Sequence, residues 1–160
     1  MTLINKDISA SIDNVLKKFP KDRKKSAIIE SLLILQHHNS GYVTKKIMHD
    51  LAKYLSVNEI DVYEVATFYT MINTKPIGKN VIAVCNNVSC MLRGSDKILS
   101  HIEKKLNIKV GQSSSDNKFY LKDEIECLAA CNGAPMMQIN HKNYENISIE
   151  EVDRIIENLK

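Results

Sequence analysis

No stretch of this sequence approaches the roughly 20 consecutive apolar residues that span a bilayer, so any association with a membrane must run through partner proteins. The opening Met1-Thr2-Leu3-Ile4-Asn5-Lys6-Asp7 has no apolar signal segment, and export is not expected. That weighs against a disulfide framework, the usual use of cysteine in small secreted chains. A Gly-rich dinucleotide fingerprint, a nucleophile motif and a paired-carboxylate site are all missing, so the chain by itself should not oxidise a nicotinamide cofactor. Repeats and low-complexity linkers are absent as well. Charge of one sign is also scarce. The formal net charge is only +3, and the excess lies in residues 1–75, chiefly in Lys17, Lys18, Lys21, Arg23, Lys24 and Lys25. Without an aromatic or Gly-rich nucleic-acid motif beside it, that cluster reads as a solvated helix boundary, and no nucleic-acid partner is expected.

Cysteine is scarce but ordered. The chain has four, in two tight pairs, Cys85-x4-Cys90 and Cys127-x3-Cys131. No C-x-x-C occurs, which excludes a thioredoxin-type redox centre and removes the usual zinc knuckle. The plant-type C-x4-C-x2-C and the bacterial C-x2-C-x2-C-x3-C ferredoxin runs are missing too. Two separated thiolate pairs suit a [2Fe–2S] cluster, whose two irons each need two more ligands, with a tetrahedral zinc site as the alternative.

At 160 residues the chain has room for one large or two small domains. The first 70 or so residues read as helices. Ile8, Ile12, Val15, Leu16 and Phe19 mark one buried face, stopped by Pro20. From Asp22 to about His38, Ile28, Leu32 and Leu35 flanked by Ile29, Leu33 and Ile34 form a stripe wider than one neighbouring helix covers. Asn39-Ser40-Gly41 ends that helix. Thr44 caps a third helix burying Ile47, Met48, Leu51 and Leu55, and Ser56 with Asn58 or Glu59 opens a fourth burying Val62, Val65 and Ala66. Past Thr74-Lys75-Pro76-Ile77-Gly78 the period changes, predicting a boundary near residue 76, with domains at 1–75 and 76–160.

In the second half, Val81-Ile82-Ala83-Val84 predicts a buried strand running into Cys85. A helix follows with Ile98, Leu99, Ile102 and Leu106, placing Cys90 just before it. Phe119 and Leu121 mark a strand after a turn at Asp116-Asn117, and residues 135–139 with the turn Asn140-His141-Lys142-Asn143 supply further pairing. Ser148 and Glu151 form a capping box for a closing helix burying Val152, Ile155, Ile156 and Leu159. This β-α-β-β-α order puts both cysteine clips in loops at one edge of a small sheet. Peptide N–H groups of Asn86, Asn87, Val88 and Ser89 are then placed to donate to sulfur. The fold class is α+β: an N-terminal helical bundle followed by an α/β domain.

Val65-Ala66-Thr67-Phe68-Tyr69, Pro76-Ile77-Gly78, Val81-Ile82-Ala83-Val84-Cys85 with Cys90, and Glu126-Cys127-Leu128-Ala129-Ala130-Cys131 with Ala134-Pro135 occur in an order that resembles the small iron–sulfur subunit of NADH:quinone oxidoreductase. The resemblance runs from about Ile28 to the C-terminus. It implies a thioredoxin-like ferredoxin domain carrying one [2Fe–2S] cluster, with Cys85 and Cys90 on one iron and Cys127 and Cys131 on the other. It further implies electron exchange with the FMN of an NADH-binding flavoprotein subunit, and other subunits of a peripheral arm as neighbours. The location implied is the cytoplasmic or matrix side of the membrane, attached only through the complex. Related subunits serve NAD-linked hydrogenases and formate dehydrogenases, and a zinc-stabilised interaction module or a free-standing redox sensor are the readings from other classes.

Two positions depart from the family pattern, which commonly has Gly at Ala129 and Asp-Gly at Asp116-Asn117. A methyl group at Ala129 is expected to crowd or redirect the cluster loop, while Asn117 tolerates a turn. His37, His38, His49, His101 and His141 read as surface or capping residues, since four thiolates complete the site. Phe68 and Tyr69 read as packing between the helical domain and the sheet rather than an electron path, and Met136 and Met137 as core filling near the second clip. The wide stripe of residues 28–35 leads to the expectation that part of residues 1–70 docks on the flavoprotein subunit.

Overall fold

The computed structural model describes residues 3–123, 125 and 127–159. Met1 and Thr2 of the opening segment and Glu126 ahead of Cys127 lie outside the described residues. Two compact units are present, Met1–Pro76 and Ile77–Lys160.

The first unit is helical. Helix α1 (Lys6–Leu16) starts where the Asn5 side chain accepts the N–H groups of Asp7 and Ile8, at 3.1 and 3.0 Å. It ends three residues short of the expected Phe19, because Pro20 bars the residue before it from helical geometry. A 3₁₀ turn at Lys24–Ala27 then leads into α2 (Ile28–His38), so the expected start at Asp22 falls several residues early. Helix α2 buries Ile28, Leu32 and Leu35, and Leu33 and Ile34 pack partly against the same core. The centre of the wide stripe is therefore covered within this unit, by α1, α3 (Lys45–Leu55) and α4 (Glu59–Phe68), while Ile29, Leu33 and Ile34 stay half-buried. Thr44 caps α3 as expected, its hydroxyl accepting from the Ile47 N–H at 3.2 Å. Ser56 does not open α4. It closes α3 in the left-handed conformation at φ 56°, and α4 follows Asn58, whose side chain makes no capping bond.

The second unit is a five-stranded mixed sheet with helices, in the strand order β2-β3-β1-β4-β5. The central strand β1 (Asn80–Val84) runs parallel to β3 (Phe119–Leu121) and antiparallel to β4 (Met137–Ile139). Short outer strands, β2 (Gln112–Ser113) and β5 (Lys142–Tyr144), pair antiparallel with β3 and β4. The glycine of Pro76-Ile77-Gly78 has a steric reason: a Cβ there would lie 2.3 Å from the Phe119 carbonyl oxygen, so only glycine lets the chain enter β1 against β3. Asn117 takes φ 54° in the β2–β3 connection, which is the tolerance expected of it. The β4–β5 turn is tighter than predicted. Asn140 and His141 alone form it, at φ 48° and 70°, and Lys142 and Asn143 belong to β5.

Helix α5 (Val88–Leu92) is separated by Gly94, at φ 90°, from α6 (Ser95–Leu106), which packs on β1 and on the closing helix α7 (Ile149–Glu157). The capping box of α7 is complete: the Glu151 N–H donates to the Ser148 hydroxyl, and the Ser148 N–H to the Glu151 carboxylate. Ile82, Ile102, Leu121, Met137 and Val152 form the centre of this unit's core.

Candidate metal centre

Strand β1 delivers Cys85 directly after Val84, and the Cys85 N–H donates to the Met136 carbonyl at 3.2 Å, extending the β1–β4 ladder by one step. Asn87 then turns the chain by accepting the Val88 N–H on its side chain at 2.9 Å. Cys90 is not ahead of a helix, as expected, but inside α5, because this cap starts a short helix within the clip. Cys85 and Cys90 are 2% and 1% exposed and pack with Ala134 and Met136, with Leu128 and Ala130 partly buried against them. The second clip is open: Cys127 and Cys131 are exposed, with their sulfurs 3.6 Å apart. Cys131 begins a 3₁₀ turn to Gly133, where a Cβ would collide with the Glu145 side chain, and the Ala134–Pro135 peptide beyond it is cis.

Cys85 interacts with Cys90 and Cys127, and Cys131 with Cys90 and Cys127, while peptide N–H groups aim at the sulfurs of Cys85, Cys90 and Cys127. Burial pushes the Cys85 thiol up. The N–H groups of Leu128 and Asn87, with the thiols of Cys90 and Cys127, more than offset it and hold Cys85 below the usual thiol range. Cys90 is pushed up, first by burial and then by the Cys85 thiol, against an opposing N–H from Met136. At Cys127 the Ala129 N–H favours the thiolate, but the neighbouring Cys131 and Cys85 thiols with partial desolvation leave it raised. One donor crosses between the clips: Leu128 from the second loop serves Cys85 of the first. Of the four N–H groups expected from residues 86–89, Asn87 is the one that reaches Cys85. Leu128, Ala129 and Met136 carry no sequence signal, since any residue supplies an N–H and only the loop path aims it.

This donor set fits a two-iron cluster. A tetrahedral metal with bonds of about 2.3 Å has a sulfur–sulfur edge of about 3.8 Å, close to the 3.6 Å of the exposed pair.

The histidines lie elsewhere. His49 pairs with Glu59 and His101 with Asp153, His37 and His38 are exposed at the end of α2, and His141 sits in the β4–β5 turn. Met136 and Met137 are core residues, as expected. Phe68 is 77% exposed, and Tyr69 packs against the helical core. Sequence reasoning also missed Arg93, whose guanidinium donates to the Ala134 carbonyl at 3.4 Å, and an apolar surface on α5 made by Val88, Met91 and Leu92.

Residues 12–160 match the thioredoxin-like [2Fe–2S] ferredoxin family, and the chain belongs to it. The match begins 16 residues before the Ile28 from which the motifs were legible. The cofactor of that family is a [2Fe–2S] cluster rather than zinc. The chain is 43% identical over 148 residues to an NADH-quinone oxidoreductase subunit of Rickettsia bellii (strain RML369-C), covering 92% of this chain and 88% of that one. It is 39% identical over 149 residues to the NADH dehydrogenase [ubiquinone] flavoprotein 2, mitochondrial, of Dictyostelium discoideum, covering 93% and 60%. Among solved structures, a chain of an NAD⁺-reducing [NiFe]-hydrogenase in the air-oxidised state superposes with a TM-score of 0.68 at 19% identity. That likeness covers 80% of this chain but 22% of the hydrogenase chain, and is one of fold.

Proposed function

We propose that the chain is the electron-transfer subunit of an NADH:quinone oxidoreductase, with its [2Fe–2S] cluster held by Cys85 and Cys90 on one iron and Cys127 and Cys131 on the other. The observation that carries this reading is the convergence of both cysteine clips, with N–H groups of Asn87, Leu128, Ala129 and Met136 turned toward their sulfurs. The identity to the Rickettsia bellii oxidoreductase protein, which extends over nearly the whole chain, supports the parent complex. When bound, the cluster takes up and returns one electron at a time. The protein's part is ligation, partial exclusion of water by Met136 and Ala134, and N–H dipoles that stabilise negative charge on sulfur.

The division of labour places NADH and FMN on a partner flavoprotein subunit, next to other subunits of a peripheral arm. The helical domain, 1–75, and the cluster domain, 76–160, then serve as one attachment to that arm. No helix among the described residues is long and apolar enough to cross a membrane; the attachment proposed is through the complex, on its cytoplasmic or matrix side.

The test mixes anaerobic chain with the flavoprotein subunit and adds NADH while recording the EPR spectrum. A reduced-cluster signal that needs the partner is expected. NADH:ferricyanide activity in the isolated, flavin-free chain would place the nucleotide site here instead.

A further inference from the structure

The two cysteine pairs differ in a way that ligation alone does not require. Cys85 and Cys90 are buried at 2% and 1% exposure, whereas Cys127 and Cys131 are both exposed, with sulfurs 3.6 Å apart on a loop whose only fixed turn among the described residues is the short Cys131–Gly133 segment. Two free thiols 3.6 Å apart lie about 1.5 Å beyond the sulfur–sulfur bonding distance of about 2.05 Å, near enough for one to attack a mixed disulfide formed on the other. A dissolved disulfide can touch this pair and cannot touch the other.

We propose that, in the cluster-free chain, Cys127 and Cys131 are a thiol–disulfide exchange site for low-molecular-weight disulfides such as oxidised glutathione, and that the bond they form closes the chain to cluster loading. In the first step one of the two thiolates attacks a glutathione sulfur, forming a mixed disulfide and releasing one glutathione thiolate. In the second, the neighbouring thiolate attacks the protein sulfur of that mixed disulfide, forming the Cys127–Cys131 bond and releasing the second thiolate. The two cysteines lose two protons to solvent and two electrons to glutathione, so the exchange balances without another reactant. The buried pair stays reduced. The loading part rests on the ligand reading proposed above, because a bonded pair offers no thiolates to iron.

The experiment treats the 160-residue, cluster-free chain with oxidised glutathione under native conditions, alkylates accessible thiols, and maps the tryptic peptide between Lys122 and Lys142, which contains both residues. The expected product lacks the mass of two hydrogens there and carries no alkyl group, while Cys85 and Cys90 become alkylated once the chain is denatured. Cys131→Ser should instead stop at a stable glutathione adduct on Cys127. A bond joining Cys85 or Cys90 to the second clip, a mixed disulfide that persists in the unsubstituted chain, or four free thiols overturns the exchange site. Iron and sulfide are then added anaerobically to the oxidised chain. Cluster absorbance should fall about tenfold or more and return after a dithiol reductant. If loading of the oxidised chain is undiminished, the closing role fails, and if the bond is also still found by mass in the loaded chain, Cys127 and Cys131 fail as ligands too; if the bond never forms but both Cys127→Ser and Cys131→Ser lose the cluster, the ligand reading stands and the exchange site does not.

Discussion

Ala129 occupies the one position of the second clip where the backbone is left-handed, at φ 58°. For a residue with a Cβ that conformation costs roughly 1–2 kcal/mol, and glycine adopts it without the penalty at an entropic cost of about 0.5–1 kcal/mol. Its N–H nevertheless favours the Cys127 thiolate, so the path of the loop is kept despite the methyl group. Ala129→Gly should therefore be neutral to stabilising by up to about 1 kcal/mol, read from the urea midpoint of the cluster-free chain, and the cluster should load as before. A loss of stability beyond about 1 kcal/mol would mean that the methyl group makes contacts that outweigh the strain. At this scale the two cysteine pairs, Gly78 and Thr44 were legible because each leaves a mark in sequence. The N–H donors were not, since they depend on peptide orientation, and neither was the left-handed role of Ser56.

Among elements, α2 and the α6–α7 pair make opposite demands. Helix α2 is apolar around most of its circumference, and sequence alone pointed to a partner surface. The bundle's own α1, α3 and α4 cover its centre, with Leu32 and Leu35 fully buried. Periodicity reveals how wide an apolar face is but not which neighbours close over it. Leu32→Ala should destabilise the chain by about 2–5 kcal/mol, measured by denaturant unfolding, and should leave NADH-driven cluster reduction intact under conditions where the variant stays folded.

The α6–α7 contact is polar at its rim. Asp153 accepts from Lys105 at 2.8 Å and from His101 at 2.7 Å, and Lys105 also reaches Glu157. Lys105, then His101, hold the Asp153 carboxyl below the usual carboxylate range, while Asp153 and Glu157 hold the Lys105 ammonium above its ordinary value. The Asp153 contribution is complete above an unfolded value of about 4 and is lost as pH falls through the depressed folded value. That of Lys105 is complete below about 10.4 and is lost as pH rises through the elevated folded value. Asp153→Asn should lower the melting temperature between these limits and flatten the acid limb of a Tm-against-pH profile. An unchanged acid limb would show that this exposed network does not support the fold. The helices and their caps were readable in advance, since the Ser148–Glu151 box is a local pattern, but the His101–Asp153 pairing spans 52 positions and needs the packed fold.

For the whole molecule, the sequence separates a helical half from a strand-bearing half, and two compact units stand on either side of Pro76. The mixed sheet order places β1 at the centre, so its C-terminal end can carry one clip while the loop before β4 carries the other. Short strands such as Gln112–Ser113 escaped notice because two residues give no period to read. The proposed function rests on this arrangement holding one two-iron cluster on four thiolates. It is tested most directly by iron and acid-labile sulfide content per chain after anaerobic purification. About two irons and two sulfides per chain are expected, with a large loss in each of Cys85→Ser, Cys90→Ser, Cys127→Ser and Cys131→Ser. Stoichiometric zinc without sulfide, or full iron and sulfide in any one of those variants, would contradict it.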